Sequence, residues 1–321
     1  MRFLIKIISG IMIMTISLYA EVAFDVTDLG VSAESIALGG SHSSAKTAHA
    51  IFINPSFLDN TLNWSADAFH TNTIEDVNIQ NISLSKAYKL YSFGLGWTRT
   101  GMNDIPKTSQ EDGLTGKKVV RSPDSYSYSY DTLYFGTSYK VLDHIVVGGS
   151  MKWFSTTLET ISGKGFNSDF GLQYIKPSYQ LAVSIHNIFP MFKMNYSDAS
   201  GTSYVDEELP LKLFINGTKK VVFKRIESKF HLQLNKSKAS PLLYAGGATI
   251  LYQGFPYIEG LLGTRSVLHL DDTIMRKSVG LNLTVRGIKF SYAFESSNAH
   301  MYNQMHYFSL SLFSKKRSVH H

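Results

Sequence analysis

The chain has 321 residues, 31 Lys and Arg against 25 Asp and Glu, and no cysteine, which excludes a disulfide framework and a thiolate metal site. A charged fraction of 17%, an aromatic fraction of 13% and a mean hydropathy near zero exclude a disordered chain and a bundle of apolar membrane helices. The net charge of +6 gathers in no stripe and leaves no footprint for nucleic acid.

In chain order, residues 1–20 read as a secretory leader. Arg2 and Lys6 give a positive start, Ile7–Leu18 is the apolar stretch, and Ala20 precedes the expected cut before Glu21. Residues 21–62 lead into the first strand, residues 63–314 carry the strands, and residues 315–321 form a short basic tail. After the leader no apolar run is long enough for a membrane helix.

The strand-bearing region shows repeated two-residue alternation. Over Ser278–Arg286, Val279, Leu281, Leu283 and Val285 share one face; Ser278, Gly280, Asn282, Thr284 and Arg286 share the other. Ile288–Glu295 and Phe308–Leu312 repeat the pattern, as do Phe230, Leu232 and Leu234 against His231, Gln233 and Asn235. The predicted segments are 64–73, 76–87, 91–102, 127–140, 144–158, 165–176, 179–193, 210–223, 228–236, 241–252, 256–267, 277–286, 288–297 and 305–314.

The connections between segments alternate in length. Tyr88–Tyr91, Leu142–Asp143, Pro177–Ser178, Lys224–Glu227, Gln253–Phe255 and Gly287 are short. Asn103–Tyr126, Met194–Leu209 and Leu268–Arg276 are long and polar. This parity is what a meander gives when one end of every strand faces the periplasm and the other faces outward. Alternation alone does not say which face meets solvent. An export leader favours lipid, as does a strand number too large for one side-chain-filled core. So do aromatics near strand ends, among them Tyr88, Tyr91, Trp97, Tyr130, Trp153, Tyr179 and Tyr307. An open sheet in hydrocarbon would leave backbone groups unpaired, so the expected fold is all-β, a closed transmembrane antiparallel β-barrel of about fourteen strands.

Residues 29–58, LGVSAESIALGGSHSSAKTAHAIFINPSFL, carry a motif. Ser32, Ala33, Ala37, Leu38, Gly39 and Gly40 are followed by an alanine-rich stretch and by Asn54, Pro55, Ser56 and Leu58. This resembles the N-terminal signature of the PorV/PorQ family, which is related in architecture to FadL-type outer-membrane barrels. Ser56 stands where the family usually has alanine. Later matches are A-V-S-I-H-N-I-F ending at Phe189, Leu209–Phe214, and the closing stretch from Lys277. The resemblance implies a fourteen-stranded barrel with an N-terminal plug in the bacterial outer membrane. Gly39, Gly40, Asn54 and Pro55 would form a structural plug motif, since glycine permits close approach and Asn-Pro favours a turn. It also implies that Phe308, Leu310, Leu312 and Phe313 on the last strand form the signal read by the barrel assembly machinery. Phe313 is out of phase with the other three.

Catalytic chemistry is not expected. The eleven His show no H-E-x-x-H. His42 and His49 do not make a metal set, Asp271-Asp272 and Asp206-Glu207-Glu208 read as solvated loops, and Ser296, Asn298 and His300 lack hydrolase spacing. Gly94 and Gly96 read as strand glycines on the inner face, not as a nucleotide loop. No cofactor and no metal are expected. The resemblance implies a non-enzymatic component of type IX-like secretion or surface attachment, with lipid around it and secreted or surface proteins engaged by loops 103–126 and 194–209. The alternative is a FadL-like channel for hydrophobic small molecules. An inward set with Lys152, His186, Lys212, His231, Gln233, Asn282, Arg286, Lys289 and Glu295 is polar and leans to the first reading.

Overall fold

The computed structural model describes residues 30–41, 45–58, 62–72, 77–112, 118–189, 193–197, 201, 207–237, 240–269, 272–297 and 304–315. The expected leader lies outside these residues, as does the basic tail beyond Lys315. The strands are β1 (Leu62–Asn72), β2 (Asn78–Tyr88), β3 (Tyr91–Asp112), β4 (Lys118–Leu142), β5 (Ile145–Leu158), β6 (Ile161–Lys176), β7 (Tyr179–His186) and the short β8 (Lys193–Ser197) and β9 (Glu207–Glu208). They continue as β10 (Lys212–Phe223), β11 (Ile226–Ser237), β12 (Leu243–Tyr252), β13 (Ile258–His269), β14 (Asp272–Val285), β15 (Ile288–Ser297) and β16 (Met305–Lys315).

Setting aside the short β8 and β9, fourteen strands close into one antiparallel barrel. Each pairs with its neighbour in sequence, β7 pairs with β10, and β1 closes on β16 with Ala68 opposite Leu310. The alternation fixes this register, because a slip by one residue would turn every apolar side chain to the wrong face. On β14, Val279, Leu281, Leu283 and Val285 are exposed while Asn282 between them is fully buried. On β11, Leu232 is 70% exposed and its neighbour His231 is 1% exposed. The wall is apolar outside and polar inside, the inverse of a soluble barrel and the pattern of one set in lipid. No helix among the described residues is long and apolar enough to cross a membrane, which says nothing about strands.

Six connections at one end are short, such as Lys89–Leu90, Asp143–His144 and Arg286–Gly287. Five expectations change. The stretch Leu268–Arg276 is not a long connection: β13 runs to His269 and β14 starts at Asp272, paired with each other. The stretch Asn103–Tyr126 is not a loop: β3 and β4 continue as a hairpin to Asp112 and Lys118, with register shifts after Met102 and Lys107. Residues 103–108 lack the alternation because both of their faces are exposed or half-buried. β7 stops at His186 instead of 193, where Asn187 takes a left-handed φ of 57° and turns the chain inward. Arg286 does not face the lumen; with φ of 49° beside Gly287 at 87° it forms the exposed β14–β15 turn. Tyr130 and Tyr307 are buried on the inner face, since each falls in the inward phase of its strand.

Candidate functional site

Residues 30–41 and 45–58 lie inside the lumen and are almost wholly buried. A one-turn helix, α1 (Ala33–Ala37), is capped by Ser32, whose Oγ accepts from the Ser35 amide at 3.2 Å. Gly39 and Gly40 end it with φ of 68° and 75°. Their amides donate to Ile36 O at 2.9 Å and Ser35 O at 2.7 Å, which satisfies carbonyls that no further turn would reach. Two 3-10 turns come next, Ala48–Phe52 and Pro55–Phe57. Asn54 caps the second: its Oδ1 accepts from Ser56 N at 3.0 Å and Ser56 Oγ at 2.7 Å, and Pro55 fills the first position, where no amide is needed.

A segment this short cannot satisfy its own backbone, so the wall does it. Ser309 Oγ accepts from Ala33 N at 2.7 Å, Asn81 Nδ2 donates to Val31 O at 3.2 Å, and Ser278 Oγ donates to Ala37 O at 3.1 Å. On the other side His186 Nε2 donates to Ile53 O at 2.6 Å, Ser138 Oγ to Leu58 O at 2.9 Å, and Gln173 Nε2 to Ser56 O. The polar inner face thus supplies a set of partners for the plug backbone. Asn54→Ala should remove the cap and strand the Ser56 hydroxyl. The expected cost is about 1–2 kcal/mol, read as a lower urea midpoint of the detergent-solubilised barrel, while Asn54→Asp should recover most of it.

Close approach depends on inward glycines in two patches. A Cβ on Gly263 or Gly247 would strike the backbone at Leu38–Gly39, and one on Gly148 would strike Pro55–Ser56. Gly94 and Gly96 do face inward, against Leu58, Ile51 and Phe52. The plug's apolar side chains then gather in two clusters. Ile51, Phe52, Ile53, Phe57 and Leu58 pack with Tyr134, whose ring meets Phe52 edge-on at 5.0 Å. Ile36 and Leu38 pack with Phe69, Leu261 and Tyr307.

Buried charges are paired across the same surface. Lys289 Nζ lies 2.5 Å from Glu34 Oε2. Asp67 accepts from Thr47 Oγ1 at 2.8 Å and from His49 N at 2.9 Å. Glu295 holds Arg265 at 2.8 Å and Arg276 at 3.2 Å. Lys152 Nζ lies 2.7 Å from both Asp169 and Asn187 Oδ1, tying the inward turn after β7 to the wall. Between plug and wall a cavity with room for little more than one water is lined by Glu34, His49, Asp67, Asn81, Ser291 and Ser309. Towards the long-loop end, past Lys152, a small apolar cluster interrupts the polar inner face. Tyr130, Phe154 and Leu209 form a buried cluster with Tyr128 against it, and Lys152 Nζ sits 5.7 Å from the Phe154 ring centre. Nearby, outside the apolar band, Lys107 is hydrogen-bonded to Glu159 in the β5–β6 turn, and that carboxylate raises the lysine above its ordinary value.

Of the residues singled out in the sequence, Gly39, Gly40, Asn54 and Pro55 are all plug residues in contact with the wall. Phe308, Leu310 and Leu312 face outward, and Phe313 takes the other phase. Lys152, His186, Lys212, His231, Gln233, Asn282 and Glu295 are buried on the inner face. His42, Asn298 and His300 lie outside the described residues. Among the described residues no three His, Asp or Glu converge as a metal set. Sequence reading missed the Tyr130–Phe154–Leu209 cluster. Tyr130 and Phe154 come from neighbouring strands, but Leu209 arrives from a connection that carries no periodic signal.

No family model matches the chain, and no curated protein matches it in sequence. Its fold is similar to solved structures. The toluene transporter TodX of Pseudomonas putida aligns with a TM-score of 0.57 over 91% of this chain and 99% of its own, at 12% identity. The toluene transporter TbuX of Ralstonia pickettii aligns at 0.54 over 89% and 98%, at 11% identity. A Pseudomonas aeruginosa FadL homologue aligns at 0.52 over 92% and 100%, at 10% identity. The chain has a FadL-like barrel fold. At these identities the likeness concerns architecture, strand number and full-length coverage alone.

Proposed function

We propose that this protein is an outer-membrane channel that passes hydrophobic small molecules, and that it is not an enzyme. The observation that carries the reading is the buried cluster of Tyr130, Phe154 and Leu209, apolar side chains gathered on the inner side of the wall on the long-loop side of the plug. At rest these side chains cover one another, and with Leu209 moved aside the two rings would offer an apolar ligand a site of the right composition. The structural neighbours, which include transporters of toluene and channels for monoaromatic hydrocarbons, support the same class. The hydrophobic channel therefore ranks above the secretion reading. Passage requires the plug to shift, because Phe52, Phe57 and Leu58 fill the lumen beneath the cluster. The test is uptake of radiolabelled toluene into proteoliposomes. Saturable uptake is expected, and the double variant Tyr130→Ala, Phe154→Ala should reduce it about ten-fold, the scale of losing one to two buried aromatic contacts. Uptake no faster than in empty vesicles contradicts the reading.

A second reading, secretion or surface attachment as the PorV/PorQ resemblance implies, draws on the β3–β4 hairpin, which continues to Asp112 and Lys118 beyond the neighbouring strand ends. Crosslinking from residues of that hairpin to a secreted protein, with no toluene uptake, would reverse the ranking.

A further inference from the structure

The geometry points to a collar for anionic phospholipid headgroups around the short-turn end of the barrel. This inference rests on the membrane reading above.

That end is rich in exposed cations. Lys89, Lys224, Arg225 and Arg286 sit in the tight turns, Lys176 closes β6, and Lys219 faces outward on β10. The described acids there are fewer: Asp143 is paired with Lys140 at 3.0 Å and Glu227 with Lys220 at 2.7 Å, and Glu259 accepts from the neutral Asn282 amide at 3.1 Å. The opposite end mixes signs, with Asp104, Asp124, Asp131 and Glu159 beside Lys107 and Lys164. Among the described residues the excess of positive charge therefore belongs to one rim.

Turn geometry does not account for it. Lys89, Lys224 and Arg286 have φ of 53°, 54° and 49°, a conformation that tight hairpins fill with Asn, Asp or Gly. Basic side chains hold three of the six short turns against that preference. They are also aimed. Lys89, Lys176 and Lys224 lie 5.4, 5.5 and 5.4 Å from the ring centres of Tyr88, Tyr174 and Phe223. Tyr88 and Phe223 are exposed at the edge of the apolar band. An ammonium held over a ring at that level lies where lipid phosphates lie, with its stem along the apolar surface. Charge complementarity selects an anionic headgroup over a zwitterionic one.

Trp64 provides the reporter. It is on the outer face at the same end, opposite Lys86 on β2. The full chain carrying Trp97→Phe and Trp153→Phe is reconstituted into phosphatidylcholine vesicles, and quenching of Trp64 by acyl-brominated phosphatidylglycerol or phosphatidylcholine is compared. The brominated phosphatidylglycerol should associate about five-fold more tightly, the scale of one basic side chain near an anionic surface, and the preference should shrink with salt. Combined Lys89→Gln, Lys176→Gln, Lys224→Gln, Arg225→Gln and Arg286→Gln should abolish the preference. Lys89→Arg, Lys176→Arg and Lys224→Arg together should keep it, which separates charge from misfolding. Equal quenching by the two lipids, or a preference unchanged in the glutamine variant, overturns the collar and leaves the barrel in its membrane. Absence of quenching by either lipid overturns the membrane reading and the collar with it.

Discussion

Replacing Gly263 by valine is expected to drive the plug off the barrel wall and convert a closed pore into a conducting one. The Cβ would meet the backbone at Leu38 and Gly39, which cannot rotate away as a side chain tip would. Gly39 in turn lies against the Thr264 backbone, so the collision has no slack on either side. Overpacking of a tight contact costs about 1–3 kcal/mol even when neighbours relax, and here the whole α1 segment must move. Gly148→Val, against Pro55 and Ser56, should act on the other half of the plug in the same way. Gly217→Ala is the control, since its new methyl would meet only a Leu181 side chain at 3.6 Å. Single-channel recording in planar bilayers should show silent parent and control proteins and steady conductance in both valine variants. Silent valine variants with native stability would mean that the plug is not held by these contacts.

Glu295→Ala should cost still more stability. The carboxylate is 1% exposed and pairs with two guanidinium groups, Arg265 at 2.8 Å and Arg276 at 3.2 Å, while Tyr307 Oη donates to it at 3.3 Å. Removing one member of a buried ion cluster leaves charge without compensation and costs about 3–5 kcal/mol. Arg265 also packs beside Gly40, so the loss should reach the plug. Urea unfolding in detergent should show the drop for Glu295→Ala, a smaller one for Glu295→Gln, and partial rescue in Glu295→Ala, Arg276→Met, where one of the stranded charges is gone. A loss below about 1 kcal/mol in the alanine variant would mean that water already screens the cluster.

The legible parts of the fold were those where two solvents of opposite polarity act on one strand. β14, β15 and β16 alternate because lipid and lumen select opposite residue types; the ends of β15 and β16 fall close to the predicted ones, while β14 starts five residues earlier, at Asp272 instead of 277. β12 and β13 were weaker, since Gly246, Gly247, Gly260 and Gly263 blur both faces. The stretch of β3 around Lys107 was illegible because residues 103–108 are exposed or half-buried on both faces, so they read as a loop. The plug motif was legible as Gly39-Gly40 and Asn54-Pro55, whose turn chemistry is local. Its seat was not. Gly263 meets Gly39, and Gln173 meets Ser56, only through barrel closure and register, which couple residues more than a hundred positions apart. The Glu295–Arg265 pair was hidden because it depends on the registers of β13 with β14 and of β14 with β15.

The most direct test of the central claim, that the apolar face of the wall meets acyl chains, uses the natural absence of cysteine. Single cysteines at Val279, Leu281 and Leu283 can each carry a nitroxide in vesicle-reconstituted protein. Oxygen, which concentrates in lipid, should relax all three labels strongly, and a water-soluble nickel complex should barely reach them. Labels relaxed by nickel and shielded from oxygen, on a protein that stays monomeric in buffer without detergent, would contradict it.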